Sequence, residues 1–98
     1  MIGPKQPRFR SEKWLRAVAD LPCVICDREG ATQAAHRNES KGMGLKTDDA
    51  MTAALCFDCH RDIDQGKELD RDERRRLMDR AILDTILQLV RNGRLVVK

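Results

Sequence analysis

Two C-x-x-C pairs constrain this chain more than any other feature: Cys23-Val-Ile-Cys26 and Cys56-Phe-Asp-Cys59, with residues 27–55 between them. Two residues between thiolates let one tight turn aim both sulfurs at a single ion, and two such turns complete the tetrahedral shell of a structural zinc. The interval between the pairs exceeds that of a compact zinc ribbon. It fits a β-hairpin inserted between a cysteine knuckle and a helix, the arrangement of a treble clef. At 98 residues, with 3% aromatic side chains (Trp14, Phe9 and Phe57), a hydrophobic core is barely sufficient alone and a metal staple has a clear physical role. Disulfides and a dithiol redox centre are the competing readings. The N-terminus "MIGPKQPRFR" is basic but lacks the apolar stretch of a signal peptide, and no apolar run reaches the roughly 20 residues of a membrane span. The expected compartment is a reducing cytoplasm, where paired cysteines hold metal more often than they oxidise.

Cys56-x-x-Cys59 is followed at once by His60, and C-x-x-C-H is also the attachment signature of a c-type haem. Haem attachment needs export, would leave Cys23 and Cys26 without a role, and wants an aromatic, apolar pocket that this composition does not supply. Net charge is +3 and says little alone. Its distribution says more: Lys5, Arg8, Arg10, Lys13 and Arg16 stand against Glu12 in the first 16 residues. A basic arm beside a near-neutral body suits a polyanionic partner, and a solvated tail accounts for the same charges.

The expected fold is a small α+β domain. Residues 1–20 form a basic arm and a short helix capped by Ser11, with Trp14, Leu15 and Val18 on one face. Residues 21–66 form the zinc treble clef: a knuckle at "PCVICDREGAT", a strand at "TQAAH", a polar loop at "RNESKGMGLKTDD", a second strand at "AMTAAL", and a helix from about Asp58 to Gly66. Residues 67–98 form a C-terminal amphipathic helix and tail. Asp70 and Glu73 make a capping box, and Leu77, Met78, Ala81, Ile82, Thr85, Ile86, Leu89 and Val90 follow one helical stripe. Asn92-Gly93 supplies the stop. That stripe is expected to be core, or a homodimer seam. "RLVV" is expected as a final strand or a packed tail.

The two histidines occupy informative positions. His36 ends the first strand. His60 begins the helix after the second knuckle, and Asp64, four residues on, projects from the same helical face. An imidazole and a carboxylate so placed make a half-site for a divalent cation. The plainer readings are that His60 caps the helix or supports the zinc cysteines beside it, and that His36 is a zinc ligand or caps the strand end. Two histidines on a hairpin and its helix, with Asp64 in register, favour catalysis.

"PCVIC", "AAH", "GMGLKTDD" and "LCFDCHRDID", in that order, resemble the HNH (ββα-metal) endonucleases, and among them small phage and prophage nucleases of the Ref recombination-enhancement type. The similarity covers roughly residues 14–66. It implies metal-dependent phosphodiester hydrolysis of DNA, with His36 matching the general base and His60 a ligand of the catalytic ion, magnesium or manganese. Asp64 falls where related enzymes place a second helix ligand. Products would carry a 5′-phosphate and a 3′-hydroxyl, and a recombination or replication protein is an implied partner. Two positions depart from the pattern. Ala35 stands where a further metal ligand is common, to be made good by water, Asp48 or Asp49. The asparagine that orients the base has no match: Asn38 comes too early, and Asp49 is the best stand-in.

Lys41 and Lys46 flank the loop glycines and, with Arg8 and Arg10, are the expected phosphate contacts; an ordinary hairpin loop is the plainer reading. Arg71, Arg74, Arg75 and Arg76 lie near a helix start, where cations oppose the helix dipole, and are expected as a solvated face beside Asp72, Glu73 and Asp79. The alternative to an enzyme is a catalytically inactive zinc module that binds DNA or a protein partner.

Overall fold

The computed structural model describes residues 9–37 and 48–97. The elements run α1 (Glu12–Ala19), β1 (Thr32–His36), β2 (Thr52–Cys56), α2 (Phe57–Gln65) and α3 (Arg71–Arg91). The molecule is a small α+β protein built on one antiparallel hairpin. No described helix is long and apolar enough to cross a membrane.

Local chemistry sets the boundaries. Ser11 is extended, and its Oγ accepts the Trp14 amide at 3.1 Å, satisfying an orphan donor of the first turn of α1. Asp70 and Glu73 form the reciprocal box at the start of α3, with bonds of 3.0 and 2.8 Å. Asn92 caps the other end, and Gly93, at φ 72°, takes the left-handed turn that a side chain resists. Gly66 answers a different need: a Cβ there would collide with the Asp62 carbonyl as the chain leaves α2. Arg74 secures the same turn by donating to the Asp64 and Gly66 carbonyls. This guanidinium, read from the sequence as part of a solvated face, is a structural clamp.

In the hairpin Ala34 pairs with Ala54 and His36 with Thr52, and strand alternation divides its side chains between two cores. On one face Ala35, Ala53 and Leu55 pack with Ile63 of α2 and with Met78, Ala81 and Ile82 of α3. On the other, Ala54 packs with Ala17, Val18 and Leu21 from α1 and its exit, and with Leu89. Every residue of β2 is buried. Alanines keep the hairpin thin, so helices approach both faces closely and little apolar volume is enclosed.

The outer edge of β2 is satisfied from elsewhere in the chain. The Val24 amide donates to the Ala54 carbonyl at 2.9 Å. The Ala54 amide donates to Thr85 Oγ1 at 2.9 Å, and that hydroxyl donates in turn to the Ala81 carbonyl at 2.7 Å. Thr85 thus bolts α3 to the strand.

One expectation is corrected in part. Of the stripe from Leu77 to Val90, Met78, Ala81, Ile82, Thr85 and Leu89 are buried, but Leu77 and Val90 are exposed, each turned about 100° from its buried neighbour and so at the edge of the packed face. Of the two readings of "RLVV", the packed tail holds and the strand does not: the amides of Arg94 and Leu95 both donate to the Leu89 carbonyl, so the chain curls over the helix end and lays Leu95 against the α1-side core.

Candidate metal centre and histidine pairs

The four cysteines converge. Cys23 and Cys26 lie in the knuckle before β1, where the Asp27 amide returns to the Cys23 carbonyl and the Cys23 amide donates to the Arg28 carbonyl, each at 2.9 Å. Asp27 makes this reversal possible by adopting φ 64°. Cys56 ends β2 and caps α2, its sulfur accepting the Cys59 amide at 3.5 Å. All four sulfurs lie within 4.8 Å of one another. Cys26 Sγ and Cys56 Sγ are 3.7 Å apart, close to the about 3.8 Å edge of a tetrahedron with metal–sulfur bonds of about 2.3 Å. A disulfide would place sulfurs about 2.05 Å apart; all four cysteines are free.

The protonation chemistry agrees. Burial pushes the Cys23 thiol up, but amides of Cys26, Cys56 and Ile25 point at its sulfur and bring it down to about 7. The Cys56 thiol is lowered too, first by the Cys59 amide. Cys59 is pushed far up, by burial and then by its sulfur neighbours. A cluster that readily yields its first protons and resists the last lacks positive charge at its centre, which a divalent ion supplies.

The second arrangement is at the open end of the hairpin. His36 Nε2 lies 2.9 Å from Asp49 Oδ1, and Asp49 is buried. Asp49 Oδ2 accepts the Ser11 amide at 2.7 Å, and Arg10 reaches Oδ1 at 3.5 Å. The His36 hydrogen bond and then the Ser11 amide hold this carboxyl below the usual carboxylate range. An ionised carboxylate only accepts, so Nε2 of His36 carries the ring proton and the neutral ring keeps its lone pair on Nδ1. Nδ1 has no hydrogen-bond partner among the described residues.

The third arrangement is on α2. His60 Nε2 stands 3.2 Å from Asp64 Oδ2, and His60 Nδ1 lies 3.0 Å from Gln33 Oε1. With the amide oxygen on that side, Nδ1 donates, and in the neutral ring Nε2 and Asp64 Oδ2 are two acceptors side by side. Donors about 2.1 Å from one octahedral ion at right angles lie about 3.0 Å apart, so this spacing fits adjacent ligands of a hard divalent cation. The carboxylates expected to compensate for Ala35 do not join them. Asp49 is committed to His36 and Ser11, and Asp48 accepts the Phe9 amide at 3.1 Å. Among the described residues, the four cysteines are the one group of three or more metal-type ligands drawn together.

Residues 1–79 match the model of a family described as a protein of unknown function, DUF968. The chain belongs to the DUF968 family. The match takes in all four cysteines, His36, Asp49, His60 and Asp64, and ends within α3. Neither the curated proteins nor the solved structures yielded a match.

Within this DUF968 segment the two histidine pairs flank β1 from opposite sides. Strand alternation turns His36 toward the α1 face, whereas Gln33, which His60 contacts, shares the α2 face with Ala35. Of the expected phosphate contacts, Arg10 is half-exposed beside Asp49; Arg8, Lys41 and Lys46, with Asn38, lie outside the described residues. Sequence reasoning missed Gln33 and Thr52, and read Ser11 only as a helix cap. Thr52 Oγ1 donates to the Asp49 carbonyl at 2.8 Å and accepts the Trp14 indole N–H at 3.2 Å. Their partners are 3 to 38 residues away in sequence, and no local pattern marks them.

Proposed function

We propose that this DUF968 protein is a metal-dependent DNA endonuclease of the HNH type, built on a zinc treble clef, derived from a phage or prophage and acting in recombination or DNA processing. The observation that carries this reading is the His36–Asp49 pair: a strand-end imidazole tethered through Nε2 to a buried carboxylate, with Nδ1 left as acceptor. Cys23, Cys26, Cys56 and Cys59 would hold zinc, tying the knuckle to the junction of β2 and α2. His60 and Asp64 would hold a magnesium or manganese ion.

In this mechanism His36 Nδ1 takes a proton from the attacking water. Asp49 fixes the tautomer and orientation of the ring and stabilises the imidazolium that forms, the role a buried carboxylate plays beside a catalytic histidine. Gln33 would fix the His60 tautomer and leave Nε2, beside Asp64, able to ligate a divalent ion. The divalent ion, when bound, neutralises charge on the phosphate and the departing 3′ oxygen. The substrate phosphate must reach both pairs around the end of β1. Little sequence preference is expected, since no base-reading element is evident among the described residues.

One observation favours the second reading, an inactive zinc module that binds DNA or a protein. Ala35 is only 2% exposed and packed in the core, so the position of the missing ligand has been given over to packing. A supercoiled-plasmid nicking assay with zinc-loaded protein separates the two. Nicking that requires magnesium or manganese supports the nuclease; intact plasmid with every divalent ion tried would leave the binding module.

A further inference from the structure

α1, its N-cap and the C-terminal end of α3 enclose a groove of about 380 Å³ that neither histidine pair uses. Its floor is the Trp14 indole with Ala17 and Leu89, and Lys13, Arg16 and Arg94 complete its walls. No acidic residue lines it. Arg16 reaches Glu12 at 3.6 Å and Arg94 reaches Asp20 at 3.4 Å. These are solvent-exposed pairs, the kind that a phosphate displaces readily. Lys13 has no ion-pair partner among the described residues. An aromatic and aliphatic floor with cationic walls matches one nucleotide of a flexible strand: the floor takes the π-face of a base and the cations take the phosphates beside it.

The groove shares a wall with the His36 site. Ser11 lines it, and the Ser11 amide donates to Asp49, the carboxylate that holds His36. Trp14 forms its floor, and the indole N–H donates to Thr52, the residue paired with His36 across the hairpin. The groove and the His36 site therefore adjoin through Ser11 and Trp14.

We infer that the groove between α1 and the end of α3 binds single-stranded DNA, seating an unstacked base on Trp14 and its phosphates on Lys13, Arg16 and Arg94. This deepens the nuclease reading by naming a substrate form, and it rests on that reading for its purpose but not for its test. A duplex keeps its bases stacked and presents only phosphates, so it would leave the aromatic floor unused.

Trp14 is the only tryptophan of the chain, so intrinsic fluorescence reports on the groove directly. Zinc-loaded full-length protein would be titrated with an oligodeoxythymidine of about 12 nucleotides, without magnesium or manganese so that cleavage does not enter. Saturable quenching of Trp14 is expected, with binding that weakens as salt rises. Lys13→Gln and Arg94→Gln, both on the surface, should each weaken binding and reduce the slope of log affinity against log salt by about 0.7. Circular dichroism checks that both variants keep the fold. Unchanged affinity and salt slope in both, an unresponsive Trp14, or a duplex that binds as tightly with the same losses would overturn the inference. Failure of plasmid nicking alone would count against the nuclease and leave this result standing.

Discussion

His36 and Asp49 meet at 2.9 Å across the open end of the hairpin, and Asp49 also accepts the Ser11 amide at 2.7 Å. One carboxylate thus orients the strand-end imidazole and clips the start of α1 to the sheet. Replacing it should damage both functions. Asp49→Ala strands the Ser11 and His36 donors and should cost about 1–3 kcal/mol in urea unfolding. Asp49→Asn retains the shape but offers an amide in place of the charge. It should release the His36 tautomer, which nitrogen chemical shifts of the ring would report as a loss of the Nε2–H form.

The same carboxylate ties stability to pH. Its hydrogen bonds to His36 and Ser11 lower its pKa in the folded state, so below about pH 4 the unfolded chain binds a proton that the folded chain still resists. The stabilisation is fully present above that value and is lost as pH falls through the lower, folded value. Urea midpoints should therefore drop more steeply below about pH 4 for the native chain than for Asp49→Asn. Parallel curves would remove Asp49 from the acid response.

Metal removal should be drastic. The enclosed core is thin, and four thiolates gathered on one ion would join the knuckle, β2 and α2, so metal binding and folding should be one equilibrium. A strong chelator should abolish the helical circular dichroism, and zinc should restore it at one ion per chain. Cys23→Ser should fail to fold under either condition, since this sulfur is fully buried.

Thr85 provides a test of the scaffold away from any metal. Thr85→Val keeps shape but leaves the buried Ala54 amide without an acceptor, which should cost about 1–3 kcal/mol in chemical denaturation; Thr85→Ser should cost less. Equal stability in the two variants would mean that packing, and not the hydrogen bond, holds α3 on the strand.

Signals that act over one turn of chain were legible from the residues alone: the Ser11 cap, the Asp70–Glu73 box, the Asn92-Gly93 stop and the cysteine pairs. The strand "TQAAH" coincides with β1, and the helix after the second knuckle begins one residue before its expected start. What escaped depends on partners distant in sequence. Thr85 reads as a polar interruption of an apolar stripe, and only the outward-facing Ala54 amide, 31 residues earlier, explains it. Leu77 and Val90 satisfy helical periodicity, yet periodicity does not say how wide the buried face of the helix will be. For the candidate site, the i to i+4 relation of His60 and Asp64 was visible. The attachment of Asp49 to the N-terminal segment was not, nor was the contact from Gln33 to His60, 27 residues on.

The nuclease proposal rests on His36 as a general base, with His60 and Asp64 holding a divalent ion on the other side of β1. The most direct measurement is the single-turnover cleavage rate of native protein and His36→Ala with saturating manganese, alongside manganese affinity for both. The expected result is a rate loss of about 100-fold or more with unchanged manganese affinity and unchanged circular dichroism. A variant that cleaves at the native rate would contradict the assignment of His36 and leave the cysteine-clustered hairpin without its proposed chemistry.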